Sequence, residues 1–215
     1  MLASLPYLMK GWGQTALLAF GTIALSLLAG VLLGAVASGR NAPLRWALAL
    51  YVNFVRGVPV LIFIFLAYFL LPQTGVRLSD TLTVLAALVL YGTSLVLENV
   101  RGAIAAVGHE QVRSAVSLGM SGLQTLVHVV APQAATIAAP LLLNTAVHLI
   151  KCTAFVSIVG VWELSFAARE VTERTLAPFQ VMFTVMLMYY AMCYPLGKLA
   201  ERLEARAAAA RREPS

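Results

Sequence analysis

Hydrophobic and polar positions along this chain fall into long apolar runs separated by brief polar stretches. The run from residue 15 to 39 contains no charged side chain. A helix that crosses a bilayer needs about 20 mainly apolar residues, so this run predicts a spanning helix. The same pattern predicts five spans, at about 15–36, 46–71, 81–97, 138–162 and 179–199. The second is interrupted by Arg56-Gly57 and Pro59, and the fourth near Lys151. Each span is predicted helical, because a backbone polar group left unpaired in lipid is costly. The expected fold class is therefore all-α: a polytopic membrane protein with one transmembrane domain over 1–215. No internal repeat, low-complexity tract or soluble domain is visible. The Ala/Arg/Glu tail after Lys198 is expected to extend the last helix and then fray.

Between spans three and four, residues 102–137 form a polar interruption. Read as a helix over 111–124, this segment places Val112, Ala115, Val116, Gly119, Met120 and Leu123 on one face. Arg113, Ser114, Ser117, Ser121 and Gln124 take another. The apolar face is too short and too weakly basic for a lipid-surface anchor. It suits either a groove on a partner protein or packing against the chain's own spans.

Composition agrees with a membrane protein. The chain is 60% hydrophobic and 11% charged, against about 25% charged in soluble domains, and its mean hydropathy is +0.86. The first run exceeds the roughly 7–15 apolar residues of a signal peptide and is expected to be retained. The formal charge of +6 does not point to nucleic acid, because five of the fifteen Lys/Arg lie in the last eighteen residues. A basic tail at a membrane face accounts for them. With five spans, one side carries Arg40, Arg45, Arg101, Arg113, Lys198, Arg202, Arg206, Arg211 and Arg212, and the other Lys10, Arg77, Arg169 and Arg174. The positive-inside rule then predicts an outside N-terminus and a cytoplasmic C-terminus, with 102–137 cytoplasmic.

The chemistry-bearing residues are few. Cys152 and Cys193 lie in apolar runs and read as buried thiols, not a disulfide framework or metal site. His109, His128 and His148 lack a metal-ligand pattern, so solvated or locally bonded roles are expected. No nucleophile–base set suggests an enzyme, and no Gly-rich phosphate loop is present. Small residues Ser26, Gly30, Gly34 and Ser38 line one face of span one, where another helix can approach closely. Ionisable groups inside a span are costly and mark function or a specific structural need. Arg56 and Lys151 are such groups. Each faces a translocation path or subunit interface, or bonds carbonyls freed at a helix break. Glu98 and Arg101, three residues apart, are placed to pair.

Several stretches resemble the permease subunits of bacterial ABC importers of the polar amino acid branch. In that family's cytoplasmic loop, Glu-Ala-Ala is followed after three residues by Gly, and after nine more by Ile-x-Leu-Pro. Here Arg113-Ser114-Ala115 is followed by Gly119, Val129, Ala131 and Pro132 at the same intervals. Arg113 stands where the family has Glu. Gln111 and Pro132-Gln133-Ala134 also fit, and so does the entry "LPYLMKGWGQTALLAF". The segment "FVRGVPVLIFIFLAYFLLP" resembles the family's Phe-Arg-Gly-Thr-Pro region. "ENVRGAI" and "LIKCTAFVSIVGVWEL", the latter containing Lys151 and Thr153, complete a collinear set over essentially the whole chain.

The resemblance implies a type I importer permease fold and a role as the membrane-spanning subunit of an ATP-driven importer. It implies a second permease subunit (a copy or a paralogue), two cytoplasmic ATPases and an extracytoplasmic solute-binding protein, within the bacterial inner membrane. ATP and Mg would sit on the ATPases, with no cofactor on this chain. Glu110, Gln111, Arg113, Ser114, Ala115, Gly119, Pro132 and Gln133 would form the ATPase-coupling segment. Gly119 would allow a close approach or turn, and Pro132 would start the return to the membrane. Arg56, Gly57, Pro59, Glu98, Arg101, Lys151 and Thr153 are the translocation-path or helix-break candidates. Rival readings are a non-transporting permease homologue and a secondary transporter; the latter class often carries inverted repeats.

Overall fold

The computed structural model describes residues 4–39 and 41–212. Arg40, counted above for topology, lies outside them, as do the side chains of Arg211 and Arg212. Nine α-helices account for most of the described chain: α1 (Leu5–Ala37), α2 (Ala42–Gly57), α3 (Val60–Leu70), α4 (Asp80–Ala105), α5 (His109–Ser117), α6 (Gly122–Thr125), α7 (Ala131–Cys152), α8 (Leu164–Thr175) and α9 (Pro178–Arg212). Four helical stretches are long and apolar enough to cross a membrane, and a fifth span results if the bent α2–α3 pair counts as one.

Helix α1 begins ten residues before the predicted span, with Pro6 in its first turn, where a missing N–H costs nothing. Its small-residue stripe is the packing surface for α4. A Cβ on Gly30 would lie 2.5 Å from Val96 Cβ, and one on Gly34 would lie 2.7 Å from Val100 Cβ. Ser26 donates to Val89 O at 3.3 Å. Ser38 is exposed and turns back on Gly34 O, so it ends the stripe without joining the contact.

The predicted second span, 46–71, is two helices at 104° to each other. Pro59 disfavours helical geometry in the residue before it, and Val58 is extended at φ −105, ψ 133. Asn41 caps the start of α2 by accepting from Leu44 N; Ser79 does the same for Leu82 N at the start of α4.

The polar interruption is shorter and more broken than a single helix over 111–124. Helix α5 ends at Ser117, and Gly119 takes φ +81, a left-handed conformation in which glycine carries no Cβ penalty. The proposed common face therefore does not persist to Leu123. The return helix starts at Gly122, not Pro132, because Ser121 and Gln124 form a reciprocal capping box. Helical geometry then runs to Val159. Pro132 cannot donate to the carbonyl four residues back, and a π segment over Leu126–Val130 absorbs the defect. Gln133 Nε2 donates to Val129 O at 3.0 Å beside this segment.

Helix α7 runs through Pro140 to Cys152, past the interruption predicted near Lys151, and tightens into a 3-10 segment, Thr153–Val159, that ends at Gly160 with φ +89. An unpredicted helix, α8, follows; its 12 residues are too few to span. It packs Leu164, Ala167 and Val171 against Leu8 of α1 and Val181 of α9. A second core joins Leu18, Ile64, Val84, Leu88 and Val156. Helix α9 continues without a break to Arg212. Cys152 is buried and Cys193 half-buried; neither forms a disulfide.

Candidate functional site

A polar cleft of about 500 Å³ opens between α2, α4 and α7. Tyr91, Leu95 and Asn99 line it at four-residue spacing on α4, and Leu141, Asn144, Thr145 and His148 at three- and four-residue spacing on α7. Arg56, in the last turn of α2 beside the bend, completes the lining. Asn99 Nδ2 donates to Thr145 Oγ1 at 2.8 Å, and Thr145 Oγ1 donates to Leu141 O at 3.0 Å. Tyr91 Oη and His148 Nε2 are 3.2 Å apart, and His148 Nε2 is 3.4 Å from Cys152 Sγ. Asn144 Nδ2 donates to Glu204 Oε1 of α9 at 3.2 Å. Among the described residues Arg56 makes no ion pair and does not bond the carbonyls of the adjacent bend. Polar groups within a span are tolerated only against protein or water, not lipid.

Of the predicted translocation-path residues, only Arg56 lines this cleft, with Gly57 and Pro59 forming the bend beside it. Glu98 and Arg101 form a bidentate pair at 2.6 and 2.9 Å. They line a separate pocket of about 310 Å³ together with Arg45 and Asn53. Lys151 is exposed and is not part of either lining. Thr153 is fully buried and donates to Ile150 O at 2.7 Å, so its hydroxyl serves the helix transition, not a path. His148 is locally bonded, as expected. Tyr91, Asn99, Asn144 and Thr145 were missed, although polar residues at helical spacing inside apolar runs were a usable signal.

The elbow between α5 and α6 gathers exposed apolar side chains. Leu118 is 83% exposed, Leu123 72% and Val116 59%, all within a few residues of Gly119. Ala115 is buried, while Glu110, Gln111, Arg113 and Ser114 are exposed. Pro132 and Gln133 lie on the following helical run, exposed but not on the elbow itself. The residues predicted as one coupling segment thus divide between an elbow at 110–119 and the first turn of α7 at 132–133.

At the other end of the molecule, Glu163 is buried with 1% exposure. Its Oε1 accepts from Ser165 N (2.7 Å) and Phe166 N (3.0 Å), capping α8. Its Oε2 accepts from Thr15 Oγ1 (2.9 Å) and Tyr189 Oη (3.1 Å). Burial pushes this carboxyl above its usual range, against the pull of the four hydrogen bonds it accepts. Nearby, Tyr7 Oη and Trp162 Nε1 both donate to Glu170 Oε2. The Tyr7 hydrogen bond holds the Glu170 carboxyl below its usual range.

Residues 26–208 match the family described as binding-protein-dependent transport system inner membrane component. The chain belongs to this family. Among relatives of this permease, a probable amino-acid ABC transporter permease, YckA of Bacillus subtilis (strain 168), is 33% identical over 190 residues, 88% of this chain and 84% of that protein. A probable glutamine ABC transporter permease, GlnM of the same organism, is 32% identical over 198 residues, covering 92% of each chain. The permease also superposes on the crystal structure of an amino acid ABC transporter with histidines. The TM-score is 0.88, with 27% identity over 96% of both chains. An inward-facing MetNI methionine ABC transporter shares the fold, with TM-score 0.76 and 18% identity over 94% of this chain and 96% of that one. The type I importer permease fold expected from the sequence is therefore the fold of this protein.

Proposed function

We propose that this permease is the membrane-spanning subunit of an ATP-driven importer for a polar amino acid or a related small solute. The observation that carries the reading is the α5–α6 elbow. Leu118 and Leu123 stand almost free of the chain's own core, outside the apolar spans, around a glycine in left-handed geometry. A rigid apolar knob of this kind fits a groove on a cytoplasmic ATPase. Two such ATPases would bind ATP and Mg, a second permease copy or paralogue would complete the path, and an extracytoplasmic binding protein would deliver solute. The relatives' amino-acid and glutamine assignments support the solute class. The nine-to-four excess of Lys/Arg supports a cytoplasmic elbow and C-terminus and an external N-terminus in the bacterial inner membrane.

Arg113, exposed on α5, stands where related loops carry Glu. We infer that the ATPase rim it meets is acidic or rich in carbonyls, or that Glu110 takes the acidic contact. Reconstitution with the ATPase and binding protein tests the function. Solute-stimulated ATP hydrolysis with uptake supports an importer. Ion-driven uptake without ATP, or no uptake with intact assembly, would overturn it in favour of a secondary transporter or a non-transporting homologue.

A further inference from the structure

A different face of α7 carries a groove of about 570 Å³ with no polar side chain in its lining. Ala131, Ala134, Ala135, Ala138 and Ala139 follow one another along it at three- and four-residue spacing, and Leu142 ends the row. Val31 and Ala35 of α1 and Val100 of α4 supply the other walls. None of these residues lines the polar cleft, which takes Leu141, Asn144, Thr145 and His148 from α7. A stripe of this spacing normally packs against a neighbouring helix. Built of alanine, its side chains are too short to close the gap to α1. Water finds no polar partner in such a slot, and an empty slot forfeits dispersion contacts. Lipid tails, as apolar as leucine, suit it. The row from Ala131 to Leu142 rises about 16 Å, close to one leaflet of a hydrocarbon core about 30 Å thick.

Toward the elbow the groove runs on into a cavity of about 420 Å³; the two share Ala35, Ile104 and Leu126. This end is partly polar, with Ser38, His109 and Thr125 in its lining. Thr125 is 4% exposed, and its hydroxyl has no hydrogen-bond partner among the described residues. A buried hydroxyl left unpaired is costly, so Thr125 calls for a partner that the chain does not supply. The groove is thus apolar over one leaflet's depth and polar at its mouth. A phospholipid has the same polarity, an acyl chain followed by ester and phosphate oxygens that accept from a hydroxyl or an imidazole N–H.

We propose that one phospholipid of the elbow-side leaflet is held here, with an acyl chain along the alanine row and its ester or phosphate oxygens at Thr125 and His109. The lipid joins α1 and α4 to the segment that carries the elbow. This site requires only that the chain spans a bilayer and is independent of which solute the permease carries.

The test is photolabelling of the full chain in nanodiscs of equal parts phosphatidylethanolamine and phosphatidylglycerol. A trace of phosphatidylglycerol carries a diazirine in its acyl chain, and the labelled residues are mapped by peptide mass spectrometry. Labelling is expected to concentrate on residues 126–142, at least fivefold above exposed Phe20 and Leu28 of α1. Ala135→Phe, which fills the slot, should cut that labelling at least fivefold. Thr125→Val keeps the shape and removes the hydroxyl, and should cut it at least threefold. A hydroxyl that is merely buried gives the opposite result: Thr125→Val leaves labelling unchanged and raises Tm, which would overturn the proposal. Even labelling along α1 and α7, no labelling of the groove, or full labelling of a folded Ala135→Phe variant would overturn it too. So would occupation of the groove by a second copy, seen as disulfide-linked dimers of an Ala139→Cys variant that the parent chain does not form. If Ala135→Phe fails to fold, Thr125→Val decides.

Discussion

Thr15 and Glu163 hold each other across the molecule. Thr15 Oγ1 donates to Glu163 Oε2 at 2.9 Å and accepts from Leu164 N at 3.0 Å. One hydroxyl of α1 thus joins both the carboxylate that caps α8 and the backbone of α8 itself. Tyr189 adds α9 to the same carboxylate. Beside the apolar core that Leu8, Leu164 and Val181 form at this end, three helices are thus also fastened through one buried acid.

Removing that acid strands several buried donors at once. Glu163→Ala is expected to destabilise the chain by about 2–4 kcal/mol, since each unsatisfied buried group costs about 1–3 kcal/mol. Glu163→Gln keeps an acceptor oxygen for the α8 amides and should cost less. Thermal unfolding in detergent checks both.

The α1–α4 crossing depends on glycine. Gly30→Ala would bring its Cβ to 2.5 Å from Val96 Cβ, and overpacking of this kind costs about 1–3 kcal/mol. Gly13→Ala, with nothing within 4 Å of a new Cβ, should be neutral or slightly stabilising. Comparing the two melting temperatures isolates close approach from helix propensity.

Gly119 sets the elbow. Gly119→Ala would place a side chain at φ +81, a cost of about 1–2 kcal/mol. It is expected to reduce ATPase co-purification and coupled ATP hydrolysis while leaving the membrane core intact. Leu118→Asp should do the same through the apolar contact. Either variant retaining full coupling would count against the elbow as the docking point.

Arg113→Glu tests the reversed charge. If the ATPase rim is acidic, the variant assembles poorly and an ATPase with a compensating basic substitution restores it. Unchanged assembly and transport would assign Arg113 no part in the contact.

The Tyr7–Glu170 contact predicts an acid-sensitive step. Glu170 has a folded pKa below its ordinary value, so its contribution is present above the unfolded pKa of about 4.3. It is lost as pH falls through the lower, folded value. Tyr7→Phe should raise the Glu170 midpoint toward the ordinary value and shrink that contribution. Trp162, whose Nε1 donates to both Tyr7 Oη and Glu170 Oε2, reports the change by fluorescence in a Trp12→Phe, Trp46→Phe background.

Much of the helical architecture was legible because lipid permits few alternatives. Apolar runs of spanning length must be helical, and small residues at four-residue spacing marked the α1 face that packs on α4. Pro59 marked the α2–α3 bend but not its angle, which depends on how α3 packs on α4 through Ile64 and Leu88. The elbow was misread as one helix because apolar spacing continued past Ser117. Gly119 and the Ser121 cap override periodicity there through backbone conformation and hydrogen bonding.

The candidate cleft was less legible than the fold. Arg56 was visible as a charge in an apolar run, and Glu98–Arg101 as a pair. Which charge enters which pocket depends on helix rotation, and one residue along a helix turns a side chain by about 100°. Thus Asn99 faces the cleft while its neighbour Glu98 faces Arg101. Lys151 stands outside both pockets although His148, one turn earlier, lines the first. The sequence by itself determined membrane residence, helix content and the break at Pro59, because these follow from local solvation and backbone sterics. Only the tertiary structure decided that Arg56 shares a cleft with Asn99 and Asn144, and that Thr15, Glu163 and Tyr189 meet. Those juxtapositions depend on how helices distant in sequence pack together.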